Sequence, residues 1–478
     1  MSTTLYDTLS RETKEVAWPK KGALGIYVCG PTVYDLSHIG HARVYIVFDV
    51  LVRRLRQKGP VAYVRNLTDI DDKIIARAAK ASLAPTELAA SCAEDFRRDM
   101  QQLGCLPADV EPKVSDHVED IVAMIGELVA SGHAYAAGGN VYFAVDRFAT
   151  YGRLGKRTLE DMEAGARVEV SALKRNPMDF ALWKAVKPGE PSWPSPWGAG
   201  RPGWHIECSA MSRRYLGSSF AIHGGGRDLI FPHHENEIAQ SEAVSGRPLA
   251  QIWAHNGLVN INDQKMSKSL GNFFLVRDVL ARFNAQALRL FLLSSHYRAP
   301  LAFSDAGLAE ATVRLAYINQ TLERVAAVVG GDDGPLGPDP FCDALRAGFL
   351  AAIDQDLNTP LALGHLSQGF RLCNELLDRP ARSPADHNTL RAVAATLAEV
   401  GAVLGLFTED SKVVLARLDA HKQRARGVDE SEIVRLVEAR GAARRRRDWT
   451  AADQLRQKLA TMGVEVRDDG DESHWRMR

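Results

Sequence analysis

Apolar and polar positions follow a strand–helix–strand order near the start of the chain. Apolar runs at 23–28 and 61–64 predict two buried strands, and residues 41–56 between them carry apolar side chains at helical spacing. This spacing predicts a crossover unit of a parallel sheet. Because loops at the carboxyl ends of such strands usually hold the ligand, the residues that follow the strands are candidates for a site.

A long insertion then interrupts the predicted sheet. Helical patterns and one β-like segment come first, at residues 86–104, 115–129 and 141–145. Residues 176–204 hold six prolines and four tryptophans, which predicts an irregular aromatic segment packed over the sheet. Residues 220–223 predict another strand, ending at Gly224-Gly225-Gly226. We therefore expect the sheet to resume after an insertion of about 86–204.

Helical patterns dominate the chain after residue 304. Four predicted helices occupy 306–329, 342–356, 360–377 and 383–404, and a last unit combines predicted helices at 429–447 and 451–462 with a short strand at 464–466. The fold class is α/β. We predict a Rossmann-type parallel-sheet domain over 1–304, a helical bundle over 305–411 and a small mixed unit over 412–478.

Composition limits the function classes. Of 478 residues, 46% are hydrophobic and 25% charged, which is ordinary globular usage. Lys plus Arg and Asp plus Glu both total 59, so the chain lacks the overall basicity typical of nucleic-acid binders, and such a partner would need a local patch. Residues 1–10 carry no leader signature, and no apolar run has the length of a membrane span. We expect a cytoplasmic protein that does not contact a membrane and has reduced cysteines.

His38-Ile39-Gly40-His41 follows the first predicted strand and begins the first helix. A helix start offers unpaired N–H groups to phosphate, and Gly40 allows a base or ribose to approach closely. The two histidines are candidates for ATP binding and catalysis. On the residues alone, they could equally be polar helix caps.

A second candidate motif is Lys265-Met266-Ser267-Lys268-Ser269, followed closely by Gly271. Two lysines on a loop can neutralise the charge that develops when a triphosphate is cleaved. A glycine allows such a loop to close over its ligand. Lys265 and Lys268 are therefore candidate catalytic residues, with Lys268 also binding ATP. The alternative is a solvated lysine turn.

In this order, the two motifs resemble the HIGH and KMSKS signatures of class I aminoacyl-tRNA synthetases. Four further stretches narrow the resemblance to the cysteinyl-tRNA synthetase family: YVCGPTVY at 27–34, NLTDIDDK at 66–73, RPGWHIECS at 201–209 and FPHHENE at 231–237. The resemblance covers essentially the whole chain. It implies ATP-dependent attachment of L-cysteine to tRNA-Cys by a monomer, with Mg²⁺ accompanying the ATP.

Four residues in these stretches suggest one zinc ion per chain. His233 and Glu237 are four residues apart and would share a helix face, as paired metal ligands must. Cys29 and Cys208 follow apolar or aromatic segments, at predicted strand or loop ends. A substrate thiolate could complete the shell, which would select cysteine over serine. His234 is the rival ligand, since neighbouring helical residues diverge by about 100° and only one of the pair can share a face with Glu237. For each residue alone, a core thiol or a surface helix pair remains the alternative.

The resemblance also implies the residues that enclose the amino acid: Thr68, Trp204, His223 and Asp228. Asp228 could pair with the substrate ammonium group, and Trp204 could form a wall or simply pack within the insertion. The glycines at 224–226 would let backbone approach the nucleotide, although a plain turn also explains them.

A local basic patch lies near the end of the chain. Residues 422–458 hold 11 basic and 6 acidic residues. Arg444-Arg445-Arg446-Arg447 and Trp449 could grip phosphate and stack on an unpaired base, as anticodon recognition requires. The alternative is a solvated charged face.

Two rival functions remain. A cysteine ligase of mycothiol synthesis would form the same adenylate but would need no tRNA-reading region after residue 305. A non-catalytic nucleic-acid-binding protein derived from a synthetase would not need the intact motifs.

Overall fold

A computed structural model describes residues 2–156, 172–261, 264–265, 274–330, 336–426, 429–469 and 472–477. Its strands are β1 (Thr4–Asp7), β2 (Glu12–Glu15), β3 (Leu24–Val28), β4 (Val61–Arg65), β5 (Ala134–Ala137), β6 (Asn140–Phe143), β7 (Phe180–Ala185), β8 (Gly200–Pro202), β9 (Phe220–Gly226), β10 (Ala250–Asn256), β11 (Val259–Ile261), β12 (Gln264–Lys265), β13 (Leu301–Ala302), β14 (Val464–Asp469) and β15 (Glu472–Met477).

The helices begin with those of the sheet domain: α1 (Ile39–Arg56), α2 (Asp72–Ala81), α3 (Pro85–Gln102), α4 (Val118–Ala130), α5 (Trp204–Leu216), α6 (Glu235–Ser245), α7 (Val276–Arg282) and α8 (Ala285–Leu293). The later helices are α9 (Asp305–Val329), α10 (Pro340–Asp354), α11 (Thr359–Leu377), α12 (Pro384–Val403), α13 (Ser411–Arg426), α14 (Glu430–Arg445) and α15 (Trp449–Thr461). Among the described residues, no helix is both long enough and apolar enough to cross a bilayer.

The central sheet is parallel and has the order β10–β9–β3–β4. Helix α1 connects β3 to β4, as the spacing of the apolar runs predicts, and its apolar side chains are buried against the sheet. The predicted Rossmann-type architecture is confirmed. The carboxyl ends of the four strands therefore meet at one edge, which is the expected position of a ligand site.

Strand β9 begins at Phe220 and ends at Gly226, so its predicted end at the three glycines is confirmed, and the glycines themselves belong to the strand. Steric contacts explain why glycine is present. A Cβ atom on Gly224 would lie 2.2 Å from the ring of Phe48 on α1, and one on Gly225 would lie 2.9 Å from the ring of His234. Glycine is needed here because the strand packs directly against other groups.

The segment 176–204 is less irregular than its prolines suggest. Strands β7 and β8 pair with each other, and β7 also pairs with β6, forming an antiparallel sheet of order β5–β6–β7–β8. Side chains of Leu182 and Trp183 are fully buried in it. A Cβ on Gly200 would meet the carbonyl oxygen of Lys184 at 2.3 Å. The expectation of an irregular segment was therefore wrong for residues 180–185 and 200–202, because prolines and glycines lie beside and within short strands, whereas residues 186–199 between them form no helix or strand.

The predicted helices after residue 304 are confirmed to within about two residues, with α13 in addition. Side-chain caps begin several of them: Ser304, Asp339, Asn358 and Ser383 accept hydrogen bonds from backbone N–H groups of the first turn. In the terminal unit, α14 and α15 pack on a hairpin of β14 and β15 around a small core. The second strand of that hairpin was not predicted.

Candidate active site

A cavity of about 440 Å³ opens at the carboxyl edge of the central sheet. Its wall includes residues from both predicted sites: Cys29, His38, Gly40, His41, Trp204 and Asp228, together with Asn256, Gly257, Leu258 and Val259. One candidate metal ligand, Cys29, thus lines the same cavity as the histidine motif. These residues are far apart in the sequence, and the order of the strands in the sheet brings them together.

The four predicted metal ligands lie together in the interior. Ligand atoms of Cys29, Cys208, His233 and Glu237 all lie within 4.8 Å of one another, and all four side chains are buried. The two sulfur atoms are 3.7 Å apart, Sγ of Cys29 is 3.4 Å from Oε1 of Glu237, and Nε2 of His233 is 3.0 Å from the same oxygen. Two thiols, one imidazole and one carboxylate are a donor set that suits zinc.

Three elements position these ligands. Cys29 directly follows β3, as predicted. Cys208 lies inside helix α5, so its predicted position at a strand or loop end was wrong; the aromatic residues before it belong to the first turn of that helix. Glu237 is in the first turn of α6, and His233 lies in a π-helical turn just before it.

The rival ligand His234 also reaches the cluster. Its Nε2 is 3.3 Å from Sγ of Cys29 and 3.9 Å from Oε1 of Glu237. The prediction that only one of the two adjacent histidines can face Glu237 was therefore wrong. Residues 230–234 form a π-helical turn instead of a regular α-helix, and the backbone of Phe231 within it is extended. Nδ1 of His234 is already engaged by Nε2 of His255 at 2.8 Å.

Burial and close contacts set the charges of the cluster. Burial raises the pKa of the Cys29 thiol well above its ordinary value. The hydrogen bond from Cys29 lowers the pKa of Cys208 to about 6. Burial alone would lower the pKa of His233, but the charges of Glu237 and Cys208 raise it to about 10. The negative groups around His233 thus favour a cation at this position, which a bound dication would also supply.

The residues expected to enclose the amino acid divide into two groups. Trp204 and Asp228 line the cavity, and the ring of Trp204 lies 4.4 Å from that of His233. Thr68 and His223 lie behind the cavity wall. The Thr68 hydroxyl donates to Oε2 of Glu207 at 2.9 Å, and Nε2 of His223 is 2.8 Å from Oε2 of Glu237.

His38 and His41 cap helix α1, as the alternative interpretation of the motif expects, and they also line the cavity; their role in ATP binding and catalysis stays a prediction. Nδ1 of His38 accepts the backbone N–H of His41, and Nδ1 of His41 accepts that of His38. The rings stack with centroids 3.6 Å apart. Because each Nδ1 is an acceptor, a neutral ring carries its proton on Nε2 as a hydrogen-bond donor.

The lysine motif is described only in part. Lys265 is the last residue of β12, and Lys268 lies outside the described residues. The chain resumes beside the histidine motif, where the N–H of Ile39 donates to the carbonyl of Phe274 at 3.1 Å and His38 forms a β-bridge with Leu275.

Three residues of the site were missed from the sequence. The ammonium group of Lys73 lies 5.6 Å from the centre of the Trp204 ring. Nδ1 of His205 is 3.1 Å from Nδ1 of His233 and so fixes the orientation of that imidazole. Asn256 lines the cavity, and its buried Oδ1 accepts no hydrogen bond from the described part of the chain. Lys73 and His205 stand in the stretches that carry the resemblance, whereas Asn256 is marked only by its place at the end of β10.

Comparisons with known proteins show the family of this chain. Residues 16–313 match the family model of the class I (C) tRNA synthetase catalytic domain. Over the whole of both chains, the protein is 49% identical to the cysteine–tRNA ligase of Anaeromyxobacter dehalogenans strain 2CP-C and 48% identical to that of Geobacter sulfurreducens. The chain belongs to the cysteine–tRNA ligase family. It is an aminoacyl-tRNA synthetase, as the resemblance of its motifs implies.

Solved structures show the same fold in other synthetases. Methionyl-tRNA synthetase of Mycobacterium tuberculosis, in complex with methionyl-adenylate, superposes with a TM-score of 0.60 at 17% identity, over 83% of this chain and 93% of that one. The agnB2 LeuRS–tRNA–LeuAMS complex of Agrobacterium radiobacter K84 gives a TM-score of 0.59 at 13% identity, over 84% and 88%. At these identities the likeness concerns the fold alone.

The remainder of the chain also matches the family. Residues 348–408 match the DALR domain, and residues 430–476 match the cysteinyl-tRNA ligase anticodon binding domain. The mycothiol ligase and the non-catalytic binding protein are therefore not favoured.

In the terminal unit, the four consecutive arginines differ in their contacts and exposure. The guanidinium of Arg444 pairs with the carboxylate of Asp468 at 2.7 Å, so this side chain contributes to the unit's own structure. Arg445, Arg446 and Arg447 are exposed, and 60% of Trp449 is exposed. These four residues are the part of the predicted tRNA surface that is open to a partner.

Proposed function

We propose that this chain activates L-cysteine with ATP in the cavity at the sheet edge and transfers it to tRNA-Cys. The observation that carries the proposal is the shared cavity. Cys29, which belongs to the buried cluster with Cys208, His233 and Glu237, lines this cavity, and His38, Gly40 and His41 line it as well. This arrangement would hold a sulfur-bearing amino acid next to a nucleotide.

The cluster fits zinc by its donor set and its burial. Two sulfur donors favour a soft metal over Mg²⁺ or Ca²⁺, which prefer oxygen ligands. When bound there, Zn²⁺ would take the thiolate of cysteine as an additional ligand and so discriminate against the hydroxyl of serine. His205 would keep the His233 imidazole correctly oriented through the 3.1 Å contact between the two Nδ1 atoms.

The other pocket residues would hold the rest of the amino acid. Asp228 would pair with the substrate ammonium group, and Trp204 would form the wall of the pocket. Thr68 does not line the cavity and would act indirectly, by keeping Glu207 in place through its hydrogen bond. His223 would do the same for Glu237.

The first step of the proposed reaction is adenylate formation. A carboxylate oxygen of cysteine attacks the α-phosphorus of ATP, the bond from that phosphorus to the bridging oxygen breaks, and pyrophosphate leaves. His38 and His41 would donate from Nε2 to the phosphates, and Gly40 would allow the nucleotide to approach the helix start. Lys265 and Lys268 would stabilise the charge that develops on pyrophosphate, with Mg²⁺ accompanying the ATP.

In the second step, the 3′-terminal ribose hydroxyl of the tRNA attacks the carbonyl carbon of the adenylate, and AMP leaves. We assign the catalytic role to residues 1–304, tRNA binding to the bundle at 305–411, and anticodon recognition to the basic unit at 412–478, where Arg444–Arg447 and Trp449 lie. We further propose that the protein works as a cytoplasmic monomer.

One experiment tests the proposal directly: cysteine-dependent ATP–pyrophosphate exchange, followed by parallel transfer assays with tRNA and with an amino-sugar acceptor. We expect exchange with cysteine, at least about a thousandfold less with serine, and transfer only to tRNA. Absence of exchange would refute the proposal, as would transfer only to the sugar. Zinc selection would be wrong if protein stripped of metal kept its full preference for cysteine.

A further inference from the structure

A buried arginine stands directly behind the histidine motif. Arg43 lies on α1, two residues after His41, and its side chain is fully buried. In the described part of the chain no carboxylate pairs with it. Burial lowers its pKa to about 10, below the ordinary value for a guanidinium. A cation held in the interior in this way needs partners that compensate its lost hydration.

Those partners are backbone carbonyls from two separate segments. Nη1 donates to the oxygens of Gly257 at 3.0 Å and Leu258 at 2.9 Å. Nη2 donates to the oxygens of His296 at 3.2 Å and Ala299 at 2.6 Å. The planar guanidinium group can donate hydrogen bonds to both segments at once, whereas the side chain of lysine has a single nitrogen and cannot do so.

The first of these segments is a wall of the nucleotide end of the cavity. Gly257, Leu258 and Val259 line the cavity together with His38, Gly40 and His41 at the start of α1. The same segment continues into β11 and then β12, which ends at Lys265. Arg43 therefore ties the helix that carries both histidines to the base of the hairpin that carries the first motif lysine.

The contact between the two segments is tight. A Cβ atom on Gly257 would lie 2.3 Å from the carbonyl oxygen of Ala299, and the N–H of Gly257 donates to the carbonyl of Tyr297 at 2.7 Å. Strand β11 continues this pairing with β13. The wall is thus fixed on one side by the 297–299 backbone and on the other by Arg43.

We propose that Arg43 is a positioning residue for ATP: it holds the Gly257–Val259 wall at a fixed distance from His38 and His41. This inference rests on the proposed function, since it assumes that the nucleotide occupies this end of the cavity. Arg43 itself does not contact the reacting atoms. Its effect is on nucleotide placement, whereas the cysteine end of the cavity is built from other elements.

The test compares Arg43→Lys with Arg54→Lys in ATP–pyrophosphate exchange. Arg54 is a matched control on the same helix, since it is also largely buried and binds Asp354 away from the cavity. We expect Arg43→Lys to lower kcat/KM for ATP by about 10- to 100-fold, as small misplacements of reactants do, with KM for cysteine changed less than about twofold. Arg54→Lys should lower thermal stability and leave both kinetic parameters close to wild type.

The proposal is overturned if Arg43→Lys changes KM for cysteine as much as it changes kcat/KM for ATP. It is also overturned if Arg54→Lys lowers kcat/KM for ATP to the same extent as Arg43→Lys. A wild-type enzyme without cysteine-dependent exchange would instead refute the proposed function. If Arg43→Lys does not fold, Gly257→Ala perturbs the same wall from its other side. Its control is Gly401→Ala in α12, where a Cβ would lie 2.3 Å from the Phe407 ring. ATP-specific loss in Gly257→Ala alone supports the inference, and its absence contradicts it.

Discussion

Nε2 of His233 lies 3.0 Å from Oε1 of Glu237, and both side chains are buried beside two cysteine sulfurs. If these groups hold zinc, Glu237→Gln should reduce zinc affinity by at least about 100-fold, since losing a group that merely orients a ligand already costs about 10- to 100-fold. Metal content after dialysis against a chelator measures this. Cysteine-dependent exchange should fall in parallel.

Glu235→Gln is the matched control for that variant. Glu235 is a buried carboxylate on the same helix, but it accepts hydrogen bonds from the backbone N–H groups of Gly152, Leu154 and Gly155. Its substitution should lower stability and leave zinc content unchanged. Equal metal loss in both variants would contradict the assignment of Glu237.

The two roles of His38 can be separated with a pair of variants. Asparagine can cap a helix as histidine does here, whereas alanine cannot, so His38→Ala should lose about 1 kcal/mol of unfolding free energy relative to His38→Asn. Neither replacement puts a donor where Nε2 stands. Both should therefore lower the exchange rate by about 10²- to 10³-fold. Urea unfolding and exchange kinetics measure the two effects, and normal exchange in His38→Asn would show that the imidazole serves only as a cap.

The sequence predicted the parallel sheet, the helices after residue 304 and the proximity of Cys29, Cys208, His233 and Glu237, because these depend on periodicity and on short motifs. It did not show that Cys208 lies within helix α5, whose first turn holds the aromatic residues before it. It also could not show that His234 reaches the cluster, because that contact depends on a local π-helical turn. The sequence pattern also does not show why β9 ends in three glycines. They are required by the ring of Phe48, which comes from a distant part of the chain, and by that of His234, which comes from the turn after the strand.

Asp354 connects the helical bundle to the sheet domain and should make stability depend on acid pH. Its carboxylate accepts hydrogen bonds from Arg54 at 2.7 Å and 3.0 Å, from Lys58 at 2.8 Å and from Thr3 at 2.8 Å. Burial alone would raise the pKa of Asp354, but these bonds lower it below its ordinary value. A carboxyl group with a lowered pKa stabilises the fold above its unfolded pKa of about 3.9, and this contribution is lost as pH falls through the folded pKa.

Asp354→Asn should therefore reduce the unfolding free energy by about 3 kcal/mol at pH 7, since it leaves buried cations without their partner. The difference from wild type should stay constant down to about pH 5 and shrink below about pH 4. Urea unfolding at several pH values measures it. Asp378→Asn removes an exposed carboxylate paired with Arg324 and should show little effect. A difference for Asp354→Asn that grew on acidification would contradict this account.

Among the terminal arginines, Arg445 and Arg446 should bind tRNA, whereas Arg444 should stabilise the terminal unit. Arg445 and Arg446 are exposed, so the double variant Arg445→Ala/Arg446→Ala should weaken tRNA binding and leave cysteine-dependent exchange unchanged. If each arginine meets one phosphate of a single-stranded loop, the slope of log affinity against log salt should become shallower by about 1.4. Arg456→Ala, an exposed arginine on α15, is the control and should change neither quantity.

Arg444→Ala should instead act through folding, because it removes the ion pair with Asp468 and loosens the packing of α14 on the β14–β15 hairpin. Its tRNA affinity should recover at lower temperature as the unit refolds, while the loss in the double variant should persist. Binding titrations at two temperatures and three salt concentrations distinguish these outcomes. If Arg444→Ala changed the salt slope as the double variant does, Arg444 would be a phosphate contact after all.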